Sequence, residues 1–338
     1  MPFQFQFNPR YRFVVNCTTR CNFNCPHCLR QTLDEKKTLR LDLPVSLFKQ
    51  CLKEFKKINY RYVAFTGGEP ILHPDFGRLV AAAVKENFSF SVINNGWFYR
   101  DYFPILDKYR LQLTRMSFSL DGSMAAIHDR IRNKSGSYDK VMEGIEFYKN
   151  KGFRVWVTSC FNQLNLSDFW NIHKLLDFFK VDDWFILGID DILSCQDYQP
   201  DFYRLTDRDR RQLRQEILKL WAKHLESGSG PRLHSSVSFG PSNPKIDFCR
   251  IFRYFEPAIH PDGTMTFCCN IYKECARRPS IEKDGFWPSF NMTLKSIEKL
   301  KVQRLKDVSE KNFFDGFNTC NYCNKYIEEI LQNLKNNG

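Results

Sequence analysis

Three cysteines, Cys21, Cys25 and Cys28, stand at C-x3-C-x2-C spacing shortly after the apolar run Phe13-Val14-Val15. Thiolates are the usual protein ligands of iron–sulfur clusters, and four of them close a four-iron cube. Three leave one iron open, just as a catalytic metal site keeps a coordination position that a structural site fills. The spacing therefore suggests a [4Fe-4S] cluster able to take a further ligand from outside the chain. Zinc or a chance grouping fits the same residue types, because the chain has 13 cysteines and C-x2-C pairs also bind zinc.

A second motif bears on that choice. Tyr62-Val63-Ala64-Phe65-Thr66 reads as a buried strand, and Gly67-Gly68-Glu69-Pro70 follows at once. Paired glycines let backbone approach a ligand where a side chain would clash. In this order and at this distance the two motifs resemble the radical S-adenosylmethionine (SAM) superfamily, whose members carry the cysteine spacing after the first strand of a partial barrel. The resemblance implies that Cys21, Cys25 and Cys28 ligate the cluster that binds SAM. It implies further that Gly67, Gly68, Glu69 and Pro70 hold the amino group of its methionine half, and that His27 contacts adenine.

The resemblance continues through Ser91-Val92-Ile93-Asn94-Asn95-Gly96, where family members often show Thr-Asn-Gly; Asn95 is then a cofactor residue and Asn94 a departure. Met116 to Gly122 alternates like a strand in a barrel wall, and barrel enzymes place their chemistry at the carboxyl ends of such strands. Ser119 and Asp121 are thus expected to reach the SAM ribose or the substrate, the plain alternative being ordinary turn residues. Arg132 resembles the arginine that pairs with the methionine carboxylate, a role suited to a guanidinium fork, with Arg130 as the competing candidate.

Strands and helices must alternate to position these residues. After Leu43-Pro44, the residues Leu47, Phe48, Cys51, Leu52 and Phe55 recur at helical spacing. Helices are expected at 79–84, 102–109, 141–149 and 170–179, and strands at 90–93, around Met116, at 155–158 and at 184–187. Repeated βα units imply a parallel sheet with right-handed crossovers. The expected fold class is α/β, a partial (β/α)6 barrel over residues 1–198 followed by a small α+β iron–sulfur domain. A helix over 207–225, with Leu213, Ile217, Leu220 and Trp221 on one face, and linker-like Ser227-Gly228-Ser229-Gly230-Pro231 and Pro241-Ser242-Asn243-Pro244 make a connector over 199–245.

The last segment, 246–338, holds a second cysteine set: Cys249, Cys268, Cys320 and Cys323. Four cysteines suffice to close a cube, and four-thiolate zinc is the alternative. Cys249, Gly263 and Cys268 resemble the opening of the SPASM motif, and the single closing pair resembles its shortened relative, the twitch domain, which implies one auxiliary [4Fe-4S] cluster. Asp262-Gly263 fits the turn of a hairpin that would bring Cys249 and Cys268 together. Cys269, next to Cys268, resembles the second cysteine of some radical peptide epimerases, which gives a hydrogen atom to the substrate radical; Cys275 lies six residues further on. Cys17, Cys51, Cys160 and Cys195 belong to no motif and read as core residues.

Composition narrows the class without choosing the substrate. The net charge of +12 is scattered, with no arginine-rich tail and no nucleic-acid motif, and no apolar run approaches the ~20 residues of a membrane span. Thirteen cysteines without a secretory signal favour clusters or free thiols over disulfides and a cytoplasmic setting. The resemblance implies an enzyme that cleaves SAM reductively and abstracts a substrate hydrogen. The expected reaction is modification of a ribosomally made peptide, by epimerisation or a cross-link. Radical dehydrogenation of a small alcohol or amino sugar is the alternative, and a non-catalytic iron–sulfur carrier or sensor is a reading from another class. Expected partners are a peptide or small-molecule substrate and a reductant such as flavodoxin or ferredoxin; because only about a dozen residues precede the first strand, a leader-peptide-binding domain is expected to be a separate protein or absent.

Overall fold

The computed structural model describes residues 12–28, 41–189, 203–235, 255–269, 278–311 and 330. In chain order they form β1 (Arg12–Asn16), α1 (Val45–Lys57), β2 (Tyr62–Thr66), α2 (Phe76–Lys85), β3 (Ser89–Asn94), α3 (Tyr99–Lys108), β4 (Leu113–Ser119), α4 (Ala125–Arg132) and α5 (Ser137–Asn150). There follow β5 (Val155–Phe161), α6 (Phe169–Phe178), β6 (Asp183–Gly188), α7 (Asp207–Ser227), β7 (Arg232–Ser235), β8 (Ala258–Ile259), β9 (Met265–Thr266), α8 (Ile281–Asp284) and α9 (Phe286–Lys311). The class is mixed α/β with parallel strands, as expected. Each expected strand and helix is present, and α4, β7, α8 and α9 are additions to the sequence reading.

Contacts divide the chain into two compact units. The first comprises Met1–Arg20, Thr32–Phe90 and Gly240–Gly338. Here β2, β1, β8 and β9 lie side by side, with β1 parallel to both neighbours and β9 folded back antiparallel to β8. Alternation sends Phe13, Val15, Val63 and Phe65 to one face, where all are buried. Phe13 stacks on Phe55 of α1 at 4.2 Å, and α1 buries the five residues whose spacing predicts it. Helix α9 joins the same cluster, its Phe286 edge-on to Phe55 at 4.9 Å.

The second unit comprises Cys21–Gln31 and Ser91–Phe239. Its strands run in the order β3, β4, β5, β6, β7, and β4 through β7 pair in parallel. Met116, Phe118, Val155, Val157, Trp184 and Ile186 are buried on one face, whereas Ser117, Ser119 and Thr158 fall on the other. A capping box of Thr206 and Asp209 starts α7, and Gly228, in the left-handed conformation with φ 63°, ends it. Leu213, Ile217 and Leu220 are buried as expected, but Trp221 is 36% exposed and lies off the packed face. Residues Arg232–Ser235, placed in the connector by the sequence reading, form β7 and pair with Asp183–Ile186 of β6.

Candidate active site

In the first unit, the Gly-Gly-Glu-Pro turn leaves β2 and closes on the chain's own backbone. The Gly68 N–H donates to the Thr18 carbonyl and the Glu69 N–H to the Arg20 carbonyl, both at 2.7 Å. A Cβ on Gly68 would stand 2.0 Å from the Arg20 oxygen, and one on Gly67, where φ is +151°, would stand 2.8 Å from that of Thr18. The glycines are thus required by the segment leading into the cysteines, which the sequence reading attributed to approach of a ligand. Arg20 in turn pairs with Asp42 at 2.8 Å, and the Thr18 hydroxyl donates to Asp42 at 2.6 Å. Burial raises the Asp42 pKa, but these hydrogen bonds outweigh it and hold the carboxyl below its ordinary value. Glu69 is buried at the head of a short 3₁₀ turn, Pro70–Leu72.

In the second unit, the cysteine loop leaves Cys21 exposed, Cys28 half-buried and Cys25 buried, all as free thiols. Burial pushes the Cys25 thiol up to about 12, with Arg132 opposing the shift. Iron charge would reverse that balance, because a coordinating thiol is deprotonated by its metal. The thiol donor set, with a cation beside its buried member, fits an iron–sulfur cluster held by Cys21, Cys25 and Cys28. Asn95 fastens the loop: its Nδ2 donates to Asn22 Oδ1 at 2.9 Å, and its own Oδ1 accepts the Trp97 N–H at 3.0 Å. The departure at Asn94 is a turn residue, accepting the Gly96 N–H at 2.8 Å and donating to the Ser117 carbonyl.

Behind the loop lies a buried charge pair. Asp121, fully buried after β4, accepts the Cys160 N–H at 2.8 Å through Oδ1. Its Oδ2 stands 2.7 Å from Arg132 Nε at the end of α4, an ion pair without hydrogen-bond alignment. The Arg132 charge also acts on the Cys25 thiol, favouring its thiolate. Burial opposes both charges, yet Arg132 keeps Asp121 below the usual carboxylate range and Asp121 raises Arg132. Arg130, the competing candidate, is exposed. His27 is buried with Nε2 3.6 Å from Asp121 Oδ2, and burial followed by the Arg132 charge brings its pKa down to about 4. Ser119 is half-buried at the end of β4, opposite Thr158.

Sequence reasoning missed His128, whose Nδ1 accepts the Asp121 N–H at 3.0 Å, and Asn22, Thr18 and Asp42, which hold the loop and its root. None belongs to a motif. A polar residue one helical turn before Arg132 was the available signal for His128.

The expected hairpin is present, with β8 and β9 joined by a turn in which Gly263 has φ +75°. Cys268 and Cys269 follow β9 and are half-buried, and Cys269, like Tyr62, packs against the buried cluster of Val14, Ala64 and Ala258. Since β9 runs antiparallel to β8, this puts Cys269 toward the strand edge where β1 begins. The Gly67-Gly68 turn lies at the other edge, where β1 ends. Four residue steps of β1, about 13 Å, separate the two edges. Cys249, Cys275, Cys320, Cys323 and Cys195 lie outside the described residues, whereas Cys17, Cys51 and Cys160 are buried.

Comparison with known proteins identifies a domain within the chain. Residues 15–176 match the radical SAM superfamily, so the chain carries a radical SAM domain. Superfamily members are enzymes, and such a domain implies a [4Fe-4S] cluster and SAM. An AdoMet-dependent heme synthase of Oleidesulfovibrio alaskensis is 27% identical over 180 residues, 53% of this chain and 46% of that protein. The mycofactocin maturase MftC of Mycolicibacterium smegmatis is 30% identical over 141 residues, 40% of this chain and 33% of that protein. The solved structure of anSMEcpe with bound AdoMet and a Kp18Cys peptide shares the fold with a TM-score of 0.68 and 15% identity, over 98% of this chain and 100% of that one. The chain spans about half the length of the curated heme synthases it matches, at 46% and 52%. Among the described residues no helix is long and apolar enough to cross a membrane.

Proposed function

We propose that the protein modifies a ribosomally made peptide, by epimerisation or a cross-link. When bound, the cluster and SAM supply reductive cleavage of the sulfonium and hydrogen abstraction from the substrate. Cys21, Cys25 and Cys28 hold the cluster, Gly67, Gly68, Glu69 and Pro70 receive the methionine amino group, and Arg132, braced by Asp121, receives the carboxylate. His27 lies against adenine, and Asn95 and Ser119 contact the cofactor. A twitch domain over 246–338 holds an auxiliary [4Fe-4S] cluster on Cys249, Cys268, Cys320 and Cys323, and Cys269 is the hydrogen-atom donor. A flavodoxin- or ferredoxin-type reductant feeds the first cluster, and a separate protein binds the leader peptide.

The peptide reading is carried by the 30% identity with a maturase. A second reading, a heme precursor as substrate, is favoured by the identity with heme synthases. Incubation in heavy water with reductant and SAM separates them. Epimerisation puts deuterium into the peptide, a cross-link removes hydrogens without incorporating it, and a heme-precursor enzyme leaves peptides unchanged. Replacing Cys269 by Ala should abolish incorporation. Persisting incorporation in Cys269→Ala would remove the donor role.

A further inference from the structure

The first unit also holds a buried hydrogen-bonded chain that the proposed function leaves unused. Asn16, His260 and Thr266 are 2%, 3% and 6% exposed. Asn16 ends β1 on the way to Cys21, His260 follows β8, and Thr266 ends β9 two residues before Cys268. Asn16 Nδ2 lies 3.1 Å from His260 Nδ1, His260 Nε2 lies 2.8 Å from Thr266 Oγ1, and that hydroxyl donates to the Cys268 carbonyl at 2.8 Å.

The donor inventory gives the chain a direction. An amide nitrogen can only donate, so Nδ1 accepts. A neutral imidazole then carries its proton on Nε2 and gives it to Thr266, whose own hydrogen is left for the Cys268 carbonyl. That carbonyl belongs to the planar peptide joining Cys268 to Cys269, so holding it fixes the plane of both Cα atoms and narrows the directions open to the two thiols. An imidazole presents an acceptor and a donor on a rigid ring at diverging angles, which suits it to join two strands this way.

We infer that His260 is a positioning residue that aims the Cys268 and Cys269 thiols, through Thr266, from the strand that feeds the first cysteine loop. The consequence for a cluster rests on the reading of Cys268 as an auxiliary ligand; the hydrogen-bonded chain itself does not. Outer partners of metal ligands set affinity in this way.

The test uses the full chain carrying Cys21→Ala, Cys25→Ala and Cys28→Ala, which removes the ligands of the first cluster and keeps Cys249, Cys268, Cys320 and Cys323. After anaerobic reconstitution, Thr266→Val and His260→Phe should each speed iron loss to a chelator, roughly 10- to 100-fold, and Thr266→Ser should restore it. Unchanged iron loss in both variants overturns the inference. If the triple variant holds no iron, the auxiliary-cluster reading fails, and His260 is judged on the cluster-free chain. There, nitrogen-15 NMR should show its proton on Nε2, and Thr266→Val should change the alkylation rate of Cys268 severalfold. A proton on Nδ1, or an unchanged rate, overturns it.

Discussion

At the scale of single residues, the second unit depends on two charges taken out of water together. Asp121 is fully buried and Arg132 nearly so, and each makes the other tolerable. Removing one partner of a buried pair leaves an uncompensated charge, at a cost of about 3–5 kcal/mol. Asp121→Asn, which preserves shape and an acceptor for the Cys160 N–H, should therefore lower unfolding free energy by about that much in denaturant titrations. Exposed Arg130→Ala should be nearly neutral. His128 supplies a pH signature. Burial, then the Arg132 charge, lowers its pKa to about 3 from the free value of 6.5, so the unfolded chain binds a proton that the folded one refuses between those limits. Stability should fall as pH drops through that window, by roughly 1.4 kcal/mol per pH unit for this one group. Urea midpoints measured from pH 7 down to 4.5 should show a shallower decline in His128→Asn than in the parent.

At the scale of elements, the Gly67-Gly68 turn shows what the sequence could and could not reveal. Motif order identified the two glycines, but their need arises from Thr18 and Arg20, about fifty residues away in the chain, and no local pattern contains that approach. Gly68→Ala should force this backbone apart. A lower melting temperature together with lost SAM binding is expected, and a variant with parental values for both would show that the turn tolerates a side chain. The apolar strands β1 to β6 and helix α1 were legible because side-chain alternation and helical spacing follow directly from burial. Helix α4 was hidden because its packed face offers one apolar residue, Ile131, beside polar His128 and half-buried Arg132, both of which face Asp121. Strand β7 was hidden likewise: Arg232-Leu233-His234-Ser235 has one apolar residue, and its polar side chains are explained by buried Asp183, which pairs with Arg232 and His234. In α9, Phe286, Phe290, Ile297 and Leu300 keep helical spacing, a pattern diluted by exposed Trp287 and Val302.

At the scale of the molecule, the Gly-Gly-Glu-Pro turn belongs to the first unit, and the cysteine loop, Asp121 and Arg132 belong to the second. The match over residues 15–176 covers all of these residues, whereas Cys268 and Cys269 lie beyond it. The radical SAM chemistry can therefore be tested apart from the substrate and from the auxiliary cysteines. The most direct measurement is SAM cleavage by anaerobically reconstituted protein given dithionite, with 5′-deoxyadenosine and methionine quantified for the parent chain and for Cys25→Ala. Formation of both by the parent and neither by the variant is the predicted result. Intact SAM in the parent reaction, or equal cleavage by Cys25→Ala, would contradict it.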